Sequence, residues 1–306
     1  MKITAGLGHT EDYPAYVQAG ADEVFCGYVP DFWYQKYGMQ SPLNRREVKY
    51  VHVQLGGRNE LKILHSMFED YGVPVTLTLN ALSYLPEQYP LIADLMDQCV
   101  TDGFSDFIIA DPALLVYLKH KGPNVRIHLS GEAFTMNPDA IHHFDDPSIQ
   151  RIIFHRHLSI TDIRQLISSC PHPGKEFEAF ILNERCHFHG ALCASVHCDE
   201  LSPMCRVPYV LQSGKASVSS IDDPDDPNPA LFGSTGCGLC ALPELKECGV
   251  THLKIVGRGN FSEAMIRDIS LVRQAVRLME EGISKQRYME SIQHLNPSGC
   301  SHNCYY

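Results

Sequence analysis

Several absences narrow the function of this 306-residue chain before any motif is considered. No window approaches the ~18 uncharged apolar residues of a membrane helix, and residues 1–10 lack the basic stretch and apolar run of a secretory leader. The expected compartment is therefore the cytoplasm, with no membrane insertion and with thiols kept reduced. Lys/Arg-rich runs are also missing, and 25 basic against 36 acidic residues leave a formal charge of -11. Such a mean field repels phosphate, so the expected substrate is a small molecule and a nucleic-acid partner is not expected. Neither H-E-x-x-H nor G-x-S-x-G occurs, and the histidines fall at no zinc-protease spacing, so no peptidase machinery is visible. Gly6-Leu-Gly8 is too short to be the glycine-rich phosphate turn of a dinucleotide-binding sheet. The aspartates of segment 221–229 lack EF-hand spacing and read as an exposed acidic turn.

Cysteine, in contrast, is plentiful. Six of the twelve, Cys186, Cys193, Cys198, Cys205, Cys237 and Cys240, fall within 55 residues. Reduced thiols at this density point to zinc or an iron–sulfur cluster, or to buried free thiols used as small hydrophobes. Structural zinc sites usually pair two close C-x2-C motifs, and here Cys237 with Cys240 alone has that form. The wider gaps favour a 4Fe-4S cluster, with zinc as the alternative. A second small group, Cys300 and Cys304 around His302, lies in the tail 296–306, either a frayed end or a strap bringing soft ligands near a metal.

The rest of the chain alternates short apolar runs with longer amphipathic ones. Strands are expected at 2–6, 23–28, 75–82, 106–110, 125–130, 151–155, 176–182 and 251–256, with helices at 12–19, 58–71, 89–102, 112–121, 138–144, 161–169 and 262–281. Eight strands separated by helices predict a single-domain (β/α)8 TIM-like barrel over 1–306. Its cysteine-rich insertion, 186–240, then follows strand seven and sits over the barrel mouth, where βα loops carry chemistry. Segment 30–50 reads as a long loop holding the sole tryptophan, Trp33, beside Phe32, Tyr34 and Tyr37, serving as an aromatic lid or packed on the rim.

Polar residues at the strand ends are the catalytic candidates: Asn80, Asp111, Arg156 and Arg258. Two arginines in a barrel mouth suit bidentate capture of a carboxylate or phosphate, or else neutralise buried aspartates. Histidines flanking Cys186, His187 and His189, are candidates for hydrogen bonds to cluster sulfur.

The motifs surrounding these positions resemble the collagenase-like U32 peptidase family from the first strand to about residue 281. They are Asn80 in Val-Thr-Leu-Thr-Leu-Asn-Ala, Asp111 in Ile-Ala-Asp-Pro, His128-Leu-Ser130 before Asn137, Arg156 in Ile-Phe-His-Arg-His-Leu-Ser, Glu178-Ala-Phe180, and Leu-Lys-Glu-Cys-Gly-Val-Thr-His-Leu-Lys-Ile-Val-Gly-Arg ending at Arg258. The resemblance implies an irregular barrel and a 4Fe-4S cluster on Cys186, Cys193, Cys205 and Cys240, with Cys198 and Cys237 as extras. It also implies oxygen-independent hydroxylation of a small molecule, with RNA-base modification, peptidase activity or a non-catalytic electron-transfer role as alternatives. A redox partner or a heterodimer with a related chain would fit. His157 and Val256 stand where the family usually carries glutamates, a loss of two carboxylates that points to different substrate chemistry.

Overall fold

The computed structural model describes residues 1–38, 41–47, 53–121, 124–186, 192–193, 212–213, 216–217, 236–295, 300 and 303–306. The barrel consists of eight parallel strands: β1 (Lys2–Gly6), β2 (Glu23–Tyr28), β4 (Val75–Leu79), β5 (Asp106–Ile109), β6 (Arg126–Leu129), β7 (Ile149–Ile153), β8 (Glu176–Leu182) and β11 (His252–Ile255). Each pairs with the next in this order, and β11 returns to β1 with Lys2 opposite His252, so the sheet closes and has no open edge. A two-residue β3 (Gln54–Leu55) pairs with the last residues of β2, beyond the end of β1. Gly27 faces Thr78 of β4 on one side and Gln54 on the other, so β3 continues where β1 has ended. All eight expected strands are present, five of them ending one to three residues earlier than expected.

Helices α1 (Tyr13–Ala19), α3 (Arg58–Tyr71), α4 (Gln88–Thr101), α5 (Pro112–Lys121), α6 (Pro138–His143), α7 (Ile160–Ser168) and α9 (Ser262–Glu280) occupy the expected positions. Local signals set their ends. Ser159 caps α7 in a reciprocal box with Asp162, and α1 stops at Gly20, whose φ of 110° is open to glycine at little cost. Three further helices were not expected: α2 (Asp31–Tyr37), α8 (Leu242–Cys248) and α10 (Lys285–Leu295). The aromatic segment is thus partly helical, and it is not a lid. Trp33 is fully buried, with its indole N–H donating to Ser41 O at 2.9 Å, because a ring of that size gains most from the core behind β2. Most of the connection between β8 and β11 lies outside the described residues, including Cys198, Cys205, His187, His189 and the acidic turn 221–229. The described part contains a short antiparallel pair, β9 (Gln212–Ser213) with β10 (Ala216–Ser217).

Because side chains alternate along a strand, every second residue points into the barrel, and the interior is layered. Glu23, Arg151, Glu178, His252 and Lys254 form a charged layer. Two residues further along their strands, Phe25, Ile153, Phe180 and Val256 join Ile108 and Tyr305 in an apolar layer separate from the main core. One more step reaches Gly27 and Arg258, at the mouth.

Candidate active site at the barrel mouth

A cavity of about 90 Å³ opens at the C-terminal ends of the strands, above the apolar layer. Arg45, Arg46, Arg156, Lys254 and Arg258 line it, and among the described residues Glu132 is the one lining carboxylate. Three of these cations have acidic partners: Arg46 with Glu184 at 2.7 Å, Arg156 with Glu132 at 2.9 Å, and Lys254 with Glu178 at 2.6 Å.

Arg258 differs. It is buried, yet among the described residues no carboxylate lies within ion-pair distance of it. Its Nη1 donates to Thr78 Oγ1 at 3.1 Å and its Nη2 to Arg46 O at 3.4 Å. Burial, with Arg46 beside it, draws its pKa down to about 10. The fold makes room for this side chain on purpose-shaped backbone: a Cβ at Gly27 would collide with Nη1, and one at Gly6 would lie 3.2 Å from Arg258 Cγ. Glycine at both strand ends leaves a slot that holds a guanidinium at the mouth.

Arg156 lies over the Phe180 ring at 4.1 Å from its centroid, where the ring face favours a cation. Its Nε and Glu132 Oε2 are both buried without a hydrogen-bond partner among the described residues, so within these residues the pair keeps one donor and one acceptor unused at the mouth. Burial opposes the Glu132 charge, but Arg156 and Arg45 hold its carboxyl below the usual range. Glu47 is opposite in sense. Burial raises its pKa to about 7 despite N–H donations from Leu43 and Asn44 to Oε2, and Oε1 has no partner.

The four sequence candidates separate. Asn80, Arg156 and Arg258 line one cavity. Asn80 Oδ1 accepts from Arg45 N at 3.1 Å and so anchors the loop that brings Arg45 and Arg46 in. Asp111 does not line the cavity. Its carboxylate caps α5 through Ala113 N at 2.8 Å and accepts from Tyr84 N at 3.0 Å, the ordinary work of an Asp before Pro at a helix start. Sequence reasoning missed Arg45, Arg46 and Glu132, which sit in loops without periodicity; the clustered Arg45-Arg46 was the available signal. His157, in place of a family glutamate, donates through Nε2 to Cys186 O at 2.5 Å, and Val256 belongs to the apolar layer.

Among the proposed cluster ligands, Cys186 and Cys240 are half-buried and Cys193 is buried, while Cys205 lies outside the described residues. Cys186 follows β8, and Cys240 lies three residues beyond Cys237, whose backbone bridges to Leu182 at the end of β8. Thiols such as these are soft donors, the kind that thiophilic metals select. No three Cys, His, Asp or Glu side chains among the described residues converge as a metal-holding group. The tail is a strap: Cys237 N donates to Asn303 O at 3.0 Å, Tyr305 N to Cys237 O at 2.9 Å, and the Tyr305 hydroxyl to Asn183 O.

A closed parallel β/α barrel with a cationic mouth defines the class of protein. The pattern of peptidase family U32 matches residues 8–306, and the chain belongs to that family. The solved structure of the U32 peptidase Mk0906 shares the fold, with a TM-score of 0.51 at 12% identity over 85% of this chain and 95% of that one. The tRNA hydroxylation protein P1 of Bacillus subtilis (strain 168) is 23% identical over 291 residues, 90% of this chain and 63% of the relative. The tRNA hydroxylation protein P of Escherichia coli (strain K12) is 25% identical over 204 residues, 64% of this chain and 41% of the relative. The chain therefore spans less than two thirds of the length of these curated relatives. Their names do not support the expectation against nucleic acid. That expectation rested on mean charge, and the fold gathers local positive charge from distant parts of an acidic chain. No helix among the described residues is long and apolar enough to cross a membrane.

Proposed function

We propose that this protein acts in hydroxylation of a nucleotide in tRNA, with the barrel mouth receiving the nucleotide and Arg258 its anionic group. The observation that carries this reading is the buried Arg258 guanidinium, unanswered by any carboxylate among the described residues and facing a cavity lined mainly by cations. A buried charge without a partner is costly, and an anionic ligand would repay that cost on binding. Arg45 and Arg46 would flank the phosphate path into the mouth. The Arg156–Glu132 pair offers a ring substituent one donor and one acceptor already aligned by their mutual ion pair.

A 4Fe-4S cluster held by Cys186, Cys193, Cys205 and Cys240 would supply one-electron redox chemistry in a reaction that does not draw its oxygen from dioxygen. The chain's own residues bind the anion, orient the ring through Arg156 and Glu132, and hold a proton on Glu47 near neutrality. A second reading, a small anionic or aromatic substrate, is favoured by the modest volume of about 90 Å³, which suits a single small group.

The test compares full-length wild-type protein, prepared anaerobically, with Arg258→Ala and Arg258→Lys. Binding of unmodified tRNA should weaken about 10- to 150-fold in the alanine variant, the range set by loss of ~1.5–3 kcal/mol from a charge-assisted contact, with partial rescue by lysine. Nucleoside mass spectrometry should show gain of one oxygen with the wild type alone. Unchanged tRNA affinity in Arg258→Ala, with tight binding of a small carboxylate lost in the same variant, would favour the second reading.

A further inference from the structure

We propose that Cys237 and Cys304 form a reversible thiol–disulfide pair, a redox modification site that latches the C-terminal strap across the barrel mouth. The backbone places them opposite one another: Cys237 bonds to residues on both sides of Cys304, accepting from Tyr305 N at 2.9 Å and donating to Asn303 O at 3.0 Å, in a parallel bridge. Neighbouring strands lie about 4.8 Å apart, inside the Cα separation of roughly 4.4–6.8 Å that a disulfide needs. Directly opposed residues also project to the same face of a sheet, which puts the two side chains side by side.

The two thiols differ in the way such a pair requires. Cys304 is exposed and open to an oxidant, whereas Cys237 is partly buried, and burial pushes its thiol pKa up to about 11 although the Leu239 N–H points at its sulfur, so it reacts second. Oxidation by a hydroperoxide balances. The Cys304 thiolate attacks one peroxide oxygen, the O–O bond breaks, and the corresponding alcohol leaves with Cys304 as sulfenic acid. Cys237 sulfur then displaces the sulfenic oxygen as water, so two thiols lose two electrons and two protons and the hydroperoxide is reduced to alcohol and water. Disulfides of reducing compartments are usually transient and sensory, which suits a bond closing on an exposed tail.

The strap carries residues of the mouth itself. Tyr305 is buried in the apolar layer, its ring stacked on Phe180 at 6.2 Å, and Tyr306 donates to Phe180 O at 2.9 Å. Arg185 Nη1 adds a bond to Asn303 Oδ1 at 2.8 Å. Fixing Cys304 to Cys237 therefore fixes Tyr305, which meets Arg156 directly beside the Phe180 ring.

The experiment uses the full chain, reduced, freed of reductant and treated with hydrogen peroxide, followed by digestion without reductant and mass spectrometry. The expected product is a linked 237–304 peptide pair as the main disulfide, reversed by dithiothreitol, lost in Cys304→Ser and retained in Cys300→Ser and Cys240→Ala. Hydrogen exchange at the Tyr305 amide should slow at least tenfold in the oxidised protein. Because Cys304 is exposed, its serine variant keeps the test open even where Cys237→Ser fails to fold. A dominant 237–240 or 300–304 linkage, sulfinic acid at Cys304 without linkage, or peroxide resistance accompanied by a tightly held zinc ion would each overturn the proposal.

Discussion

Two buried arginines within the same barrel are answered in opposite ways. Arg151, in the charged layer, bonds Glu23 at 2.6 and 2.8 Å, Glu176 at 2.7 and 2.9 Å and Glu178 at 2.8 Å, while His252 lies against Glu23 at 3.2 Å. Burial works against its charge, yet these carboxylates hold its pKa above the ordinary value. Arg258, two layers higher, has a hydroxyl and a carbonyl, and its pKa falls. The lower network closes on itself and contributes structure. The upper cation has no carboxylate among the described residues, and under the proposed function this contrast separates charge that holds the barrel from charge that receives a ligand.

The largest effect that would test this contrast is removal of Arg151. Arg151→Met leaves Glu23 and Glu178 buried beside lost partners, and breaking a buried pair from one side costs about 3–5 kcal/mol. Urea unfolding should show a fall in midpoint with little change in slope, or failure to express folded protein. A loss under about 1 kcal/mol would mean that solvent reaches the layer and that the network is not sealed.

Opposite pH responses give the next effect. Burial resists the Glu178 charge, but Lys254 and Arg151 bring its pKa down to about 2. A depressed carboxylate adds stability above its unfolded pKa of about 4.5, lost as pH falls through about 2. Glu47 runs the other way: with a pKa raised to about 7 by burial, its contribution is fully present below the unfolded value and is lost as pH rises through about 7. At about 1.4 kcal/mol per pKa unit the Glu47 effect is on the order of 3 kcal/mol between pH 5 and 8. Glu47→Gln should flatten thermal stability across that window and leave the acid limb intact. A variant that still loses stability from pH 5 to 8 would assign the slope to another group.

Much of the barrel was legible in the sequence because the evidence for it is local. A parallel strand buried on both faces reads as a short apolar run, and Phe107-Ile108-Ile109 or Ile152-Ile153 announces itself without reference to any partner. The missed helices had weaker local signals: α2 follows Pro30 and is half aromatic, and α8 is only seven residues long. Strand-end residues Asn80, Arg156 and Arg258 could be placed at the mouth once the strands were known. Asp111 was misplaced because Asp-Pro at a strand end serves a helix cap as readily as a site. Charge compensation could not be read at all. Arg151 and Glu23 are separated by 128 positions, and which arginine meets a carboxylate is decided by barrel closure.

The smallest expected effect is the sharpest. Arg258→Met removes a buried cation that has two neutral acceptors, in a slot that Gly6 and Gly27 keep wide enough for a long unbranched side chain. Methionine fills similar volume with a flexible chain, so cavity and strain costs stay low. The desolvation cost of the charge, several kcal/mol, disappears with it and offsets the loss of two charge-assisted hydrogen bonds of about 1.5 kcal/mol each, the low end of their range because one is long at 3.4 Å. Stability should therefore change by less than about 1 kcal/mol or rise slightly, where Arg151→Met at comparable burial loses several. The same variant should lose its affinity for phosphate-bearing ligands, so the two readouts move independently. A fall in stability as large as that of Arg151→Met would show that Arg258 is structurally compensated after all, and the cationic mouth would then need another residue to receive an anion.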